Sequence, residues 1–226
     1  MSRLIAAIDT PDLGQARAWV RALSPHCGLV KLGLEFFLAQ GPAGMQALAP
    51  QPIFLDLKLH DIPNTLAGAV RSVLPLAPRM LTLHAAAGGT ALEAARRAAG
   101  DAPGRPLLLG VTVLTSLGAE ALHGTGVAGG PRQQVLRLAR LAMAAGLDGV
   151  VCSADELPML RDALGAAPVL VVPGIRPAGC APGDQLRTAT PAEAIARGAD
   201  WIVVGRPITE AADPAAAAAA IMREIA

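Results

Sequence analysis

Pro52-Ile53-Phe54-Leu55-Asp56-Leu57-Lys58-Leu59-His60-Asp61-Ile62-Pro63-Asn64-Thr65 reads as a buried strand that runs into charge and then into a helix. The apolar run of Pro52 to Leu55 gives way to two carboxylates and an ammonium within six residues. Alternate side chains of a strand share a face, so Asp56 and Lys58 should point the same way, about 7 Å apart along the backbone. Asp61 falls just past the strand end. Pro63 bars further strand pairing, and Asn64 or Thr65 is expected to cap the helix that follows. Charges at the mouth of a buried strand are costly unless they pair with each other or with a ligand. The cluster is therefore either a structural ion pair or a site built for a charged reaction centre.

Outward from this stretch the same unit repeats. Apolar runs of strand length occur at Leu4–Asp9, Gly28–Leu32, Pro52–Lys58, Met80–His84, Leu107–Val113, Asp148–Cys152, Val169–Pro173 and Trp201–Gly205. Their near-continuous aliphatic character is that of strands covered on both faces. Helix signals lie between them. Pro11 to Ala22 carries apolar residues at helical spacing. Ser153-Ala154-Asp155-Glu156 and Thr190-Pro191-Ala192-Glu193 fit the capping box, and Asp213-Pro214 opens a last helix through the alanines 215–220. Eight such units in 226 residues point to a (β/α)₈ TIM barrel, one α/β domain over residues 1–226. An open doubly wound sheet is the alternative, since periodicity does not reveal closure.

Composition removes several classes of function. The chain is 53% hydrophobic, with a mean hydropathy of +0.45, yet no apolar run approaches the ~20 residues of a membrane span. Its N-terminus reaches Asp9 too soon for a signal peptide. A net charge of +1, no basic run and 2% aromatic residues argue against a nucleic-acid surface. Cys27, Cys152 and Cys180 have neither metal nor redox-pair spacing, so no metal site is expected and a reducing cytoplasm is.

In a barrel the C-terminal strand ends build the site. Those ends hold Asp9, Lys31, the Asp56/Lys58 pair, His84, Thr115-Ser116, Arg176 and Gly205-Arg206. Lys31, between Leu29-Val30 and Leu32, is expensive inside a central strand unless it partners carboxylates; the alternative is a snorkelling side chain. Strands seven and eight commonly form the phosphate site of barrel enzymes. There Gly205 permits close approach and Arg206 offers a forked donor. The long loop from Gly174 to Arg187 has the composition of a lid. His84 reads as a hydrogen-bonded structural residue, His60 as filler beside the charges, and Cys152 as a small core residue.

Taken together, the chain resembles the orotidine 5′-phosphate decarboxylase family over essentially its whole length. The resemblance rests on Asp56-x-Lys58-x-x-Asp61 followed by Ile62-Pro63-Asn64-Thr65. It is supported by Ile8-Asp9, Val30-Lys31-Leu32-Gly33, Val113-Leu114-Thr115-Ser116, Asp148-Gly149-Val150-Val151-Cys152-Ser153, Pro173-Gly174-Ile175-Arg176-Pro177, Gly183-Asp184-Gln185 and Val204-Gly205-Arg206-Pro207-Ile208-Thr209.

The resemblance implies cofactor-free decarboxylation of orotidine 5′-monophosphate to UMP, the last step of pyrimidine nucleotide synthesis. Lys58 would protonate C6, and Asp56 would sit against the substrate carboxylate. Lys31 and Asp61 would complete a charge network, Asp61 reaching into the neighbouring subunit of a homodimer. Asp9 and Lys31 would hold ribose hydroxyls, and Thr65 would contribute across the dimer. Thr115 and Ser116 would meet the pyrimidine edge, and Arg176, Gln185, Gly205 and Arg206 would grip the phosphate.

Two rivals stand beside this reading. Magnesium-dependent keto-gulonate-phosphate decarboxylases and hexulose-phosphate synthases share the Asp-x-Lys-x-x-Asp core. Lys31 and Ile62-Pro63-Asn64-Thr65 speak against them. A non-catalytic nucleotide-binding barrel would retain the fold and the phosphate grip, but it has no need of Lys58 between carboxylates.

Overall fold

In the computed structural model, residues 2–178 and 187–226 are described. Their parallel strands are β1 (Leu4–Ile8), β2 (Leu29–Leu32), β3 (Ile53–Leu59), β4 (Met80–His84), β5 (Leu107–Val111), β6 (Gly149–Val151), β7 (Val169–Val172) and β8 (Trp201–Val204). Each pairs with the next, and β1 pairs with β8 through Leu4↔Ile202, Ile5↔Val203 and Ala6↔Val204. The sheet is therefore a closed barrel, and the open-sheet alternative falls. The observed strands are mostly a residue or two shorter than the apolar runs. The polar or turn-forming ends, such as Asp9 and Gly205, have already left the ladder.

The helices cover the barrel: α1 (Leu13–Leu23), α2 (Leu34–Gln46), α3 (Pro63–Val73), α4 (Gly89–Ala99), α5 (Ala119–Gly124), α6 (Pro131–Ala144), α7 (Leu157–Leu164), α8 (Pro191–Ala196), α9 (Arg206–Thr209) and α10 (Pro214–Glu224). Their starts follow local chemistry. Asp213 caps α10 through Ala216 N–H, and Thr190 with Glu193 closes the reciprocal box on α8. The start of α3 corrects an expectation. Neither Asn64 nor Thr65 caps it; Pro63 takes the first helical position and Ile62 is the cap residue, with no side-chain cap bond. A proline needs no partner for its missing N–H there, so the helix begins one residue before the polar pair.

The core has two parts. Alternate residues of the strands point outward into a shell shared with the helices, among them Leu4, Val30, Leu55, Leu81 and Val204. The intervening residues fill the barrel: Ile5, Leu29, Phe54, Met80, Leu109, Val171 and Val203 form an inner apolar plug. Everything polar at the mouth stands on that plug.

At the opposite end the strands are tied by a repeated device. Asp148, just before β6, accepts both Arg105 guanidinium nitrogens at 2.7 Å and the Leu108 N–H of β5 at 2.8 Å. Asp200, just before β8, accepts one Arg161 guanidinium nitrogen and the Leu170 N–H of β7, both at 2.7 Å. Burial pushes the Asp148 carboxyl up, but the Arg105 fork, the Leu108 N–H and the nearby positive charge outweigh it and leave it below its ordinary value. A carboxyl held low in the folded state adds stability above its unfolded pKa of about 3.9. That stability is lost as pH falls through the folded value. Asp148→Asn should therefore cost about 2 kcal/mol at pH 7. The gap to wild type should narrow below about pH 4 in thermal melts. A gap that stays constant through that range would contradict the assignment.

Candidate active site

The charges quoted at the outset meet at the C-terminal mouth of the barrel. Lys58 Nζ donates to Asp56 Oδ2 at 2.9 Å. Lys31 Nζ stands 3.6 Å from the same oxygen and donates to Asp9 Oδ1 at 3.2 Å. Four groups of alternating sign, Asp9, Lys31, Asp56 and Lys58, thus form one chain across β1, β2 and β3. Lys31 is no snorkelling residue: its side chain is 13% exposed and sits between two carboxylates. Gly33 leaves it that room, since a Cβ there would lie 3.1 Å from both Lys31 Nζ and Asp9 Oδ1.

Asp56 is the buried centre of the chain. Burial alone would raise its carboxyl. The Lys31 and Lys58 charges, with hydrogen bonds from Lys58 and Thr82, overcome that and hold it below the usual carboxylate range. It is thus an anion at neutral pH, compensated on both sides.

Lys58 does not arrive by plain strand alternation. Its backbone has φ +48°, and the β3–β4 register shifts between Leu55 and Leu59. A bulged, left-handed residue re-aims a side chain at a local cost of order 1–3 kcal/mol. Thr82 of β4 holds it there. The Thr82 hydroxyl accepts the Lys58 N–H at 2.8 Å and donates to Asp56 Oδ1 at 2.9 Å. Sequence reasoning missed this fully buried residue. Its signal was a hydroxyl in the inward register of Met80, inside an otherwise apolar strand.

A pocket of about 260 Å³ opens above these groups. Phe54 and Val203 form part of its floor, and Lys31, Asp56 and Lys58 line one side. Val113, Leu114, Thr115 and Ser116 line another, with Cys152 and Pro173. Cys152 is thus both a core residue, as expected, and part of the wall. His84 stacks on His60 with ring centroids 5.2 Å apart. Burial, then the neighbouring His60 and Lys58 charges, hold His84 below its ordinary pKa.

Other expected residues stand apart from this pocket in the single chain. Arg206 is the first residue of α9, directly after Gly205 at the end of β8, and is exposed. A Cβ at Gly205 would make only ordinary contacts, the nearest at 3.5 Å from Ala7. Arg176 follows β7 and turns one guanidinium nitrogen to the Ile175 carbonyl at 2.9 Å. Asp61 and Thr65 are exposed and do not line the pocket; Asp61 Oδ1 accepts the Ile62 N–H at 2.7 Å. Gln185 and Cys180 lie outside the described residues, as does most of the expected lid. Among the described residues, no group of three His, Cys, Asp or Glu side chains is arranged to hold a metal ion. No described helix is long and apolar enough to cross a membrane.

Residues 2–221 match the family model described as "Orotidine 5'-phosphate decarboxylase / HUMPS family". The chain is 56% identical over 221 residues to an orotidine 5′-phosphate decarboxylase of Anaeromyxobacter sp. (strain K), covering 97% of this chain and 96% of that one. It is 53% identical over 230 residues to the enzyme of that name from Gluconobacter oxydans (strain 621H), covering 100% and 98%. Among solved structures, orotidine 5′-phosphate decarboxylase from Lactobacillus acidophilus superposes with a TM-score of 0.88 at 36% identity, over 100% of this chain and 99% of that one.

The Thr82 bridge makes a stability prediction of its own. Thr82→Val leaves a buried N–H and a buried carboxylate oxygen without their partner. It should cost about 2–4 kcal/mol, whereas Thr82→Ser should stay within about 1 kcal/mol of wild type. Denaturant unfolding of the two variants checks this. Equal stability of valine and serine would remove the hydroxyl from its assigned role.

Proposed function

The chain belongs to the orotidine 5′-phosphate decarboxylase / HUMPS family. From that premise we propose that it converts orotidine 5′-monophosphate to UMP and carbon dioxide in pyrimidine biosynthesis, with Lys58 as proton donor and the whole chain as one barrel domain. The observation that carries this reading is the Lys58 ammonium, aimed into the pocket and held 2.9 Å from a buried Asp56.

The chemistry asks for such an arrangement. When the bond from C6 to the carboxylate breaks, its electron pair stays on C6, in an orbital the pyrimidine π system cannot delocalise. A fixed cation beside that carbon stabilises the developing charge without any reorganisation at the moment of reaction. Lys58 then gives a proton to C6 and is re-protonated from solvent. Asp56 would sit against the substrate carboxylate, and loss of carbon dioxide would then relieve like-charge repulsion. Asp9 and Lys31, paired at 3.2 Å, present an acceptor and a donor suited to ribose hydroxyls. Thr115 and Ser116 offer hydroxyls to the pyrimidine edge. Gly205 and Arg206, with Arg176 and Gln185, form the phosphate grip, whose binding energy can help assemble the site.

The reading calls on no metal. A magnesium-using member of the group would need carboxylates open to ligation, whereas Lys31 and Lys58 already neutralise Asp9 and Asp56. We further propose a homodimer in which Asp61 and Thr65 serve the neighbouring site. Both are exposed beside Ile62, which is 68% exposed, and Leu34 and Leu38 of α2 are 48% and 79% exposed. An exposed Ile62 between Asp61 and Thr65 is the apolar side chain this contact would cover. Free, buried Cys27 and Cys152 fit a reducing cytoplasm; burial pushes the Cys27 thiol up to about 12.

The test is conversion of orotidine 5′-monophosphate, followed by absorbance, with EDTA present. Wild type should turn over fully. Arg206→Ala should lose roughly 10³-fold or more in kcat/KM, because the phosphate grip contributes through the transition state. Activity that requires added magnesium would sink the metal-free reading. An Arg206 variant of wild-type efficiency would remove that residue from the grip. Sedimentation should show a particle of twice the 22.9 kDa chain mass; a monomer with full activity would remove Asp61 and Thr65 from the site.

A further inference from the structure

Residues 113–116 form the pocket wall that carries Thr115 and Ser116, and only its first residue, Val113, is buried in the core. They follow β5, where the ladder has ended at Val111↔Val151. Thr112 still bonds the Val151 carbonyl, and Leu117 N–H bonds the Leu114 carbonyl within the turn. Leu114 is 37% exposed. The wall thus lies beyond the strand ladder, where contacts from other elements can fix its position.

One such contact is Arg187. One guanidinium nitrogen donates to the Leu114 carbonyl at 3.0 Å and lies 3.4 Å from that of Val113. The other nitrogen pairs with Glu156. Glu156 is itself 1% exposed, and its second oxygen accepts the Ser153 N–H at 2.7 Å at the end of β6. Burial holds the Glu156 carboxyl above its ordinary value, and the Arg187 charge and the Ser153 bonds offset only part of that rise. The backbone beyond Arg187 is anchored as well. Ala189 forms a parallel bridge to Ile175, and its carbonyl accepts the Arg176 N–H at 2.9 Å. Arg187 does not line the pocket. A buried ion pair is a poor source of net stability but a good means of fixing one arrangement.

We propose that Arg187 is a positioning residue. Pinned by Glu156, it holds the Val113 and Leu114 carbonyls and so sets Thr115 and Ser116 against the pyrimidine. It also ties that wall to the Ile175–Arg176 segment at the outlet of β7. The inference rests on the reading of the pocket as a pyrimidine site. A guanidinium suits this role, because its planar fork holds its donors to a carboxylate and a carbonyl in one fixed geometry.

The test compares wild type with Arg187→Met, Arg187→Lys and Glu156→Gln on two substrates, orotidine 5′-monophosphate and phosphate-free orotidine. Amide hydrogen exchange over residues 113–117 is measured alongside. Arg187→Met should lower kcat/KM by roughly 10–100-fold, the scale of a small misplacement at a reacting centre. The factor should be the same for both substrates within about threefold, since the wall meets the base and not the phosphate. Exchange at 113–117 should accelerate. Arg187→Lys and Glu156→Gln should move both readouts in the same direction by less, and they carry the test should the methionine variant fail to fold. Wild-type efficiency in Arg187→Met, a loss confined to the phosphorylated substrate, or unchanged exchange would each overturn the proposal. Failure of wild type to convert orotidine 5′-monophosphate would instead remove the functional reading, and the exchange measurement would still decide whether Arg187 holds the wall.

Discussion

A single carboxylate, that of Asp56, organises the mouth of this barrel. It stands directly above an apolar plug, where an uncompensated charge would be costly. Every strong contact around it follows from that constraint. One oxygen takes the Thr82 hydroxyl, and the other takes Lys58 and has Lys31 at 3.6 Å. Lys31 in turn has Asp9 as its second counterion. The cations are thus fixed by the need to balance Asp56, and the position of Lys58 in the pocket wall is a consequence. Buried charge networks that are fully paired give one arrangement in place of many.

Fixing Lys58 has its own cost. The left-handed backbone at that residue and the slipped register beside it are departures from an ideal strand. Thr82 offsets them by occupying the Lys58 N–H, which would otherwise lose its partner where the ladder breaks. Strain of this kind persists when the surroundings over-determine it, and here it coincides with the residue proposed as the proton donor. The opposite face of the barrel uses charge differently. The Arg105–Asp148 and Arg161–Asp200 pairs tie strand starts together and do not line the pocket at the mouth, so they serve the opposite end of the barrel.

Much of this was legible in the residues. The apolar runs located the strands because strands covered on both faces cannot hide their composition. Lys31 announced itself because an ammonium in such a run needs a reason. What escaped was information carried between strands. Barrel closure is a pairing of β1 with β8, and no periodicity encodes it. Thr82 looked like an ordinary strand threonine until the register placed it beside Asp56. Alternation brought Asp56 and Lys58 to one side, but the bulge that delivers the ammonium arises from a register slip against β4. Expectation at the start of α3 went to Asn64 and Thr65 because both are good caps; Pro63 had already set the helix origin. The Arg187–Glu156 tie joins residues thirty-one apart in sequence, and only the fold brings them together.

The central claim is that the ammonium held by Asp56 is the group that stabilises and protonates C6. The most direct measurement is metal-free turnover of orotidine 5′-monophosphate by Lys58→Ala, together with its affinity for UMP. The account predicts turnover reduced by about 10⁴-fold or more, the combined scale of a lost proton donor and a lost electrostatic partner, while UMP still binds within about tenfold of wild type. Turnover near that of wild type in a folded Lys58→Ala protein would contradict it.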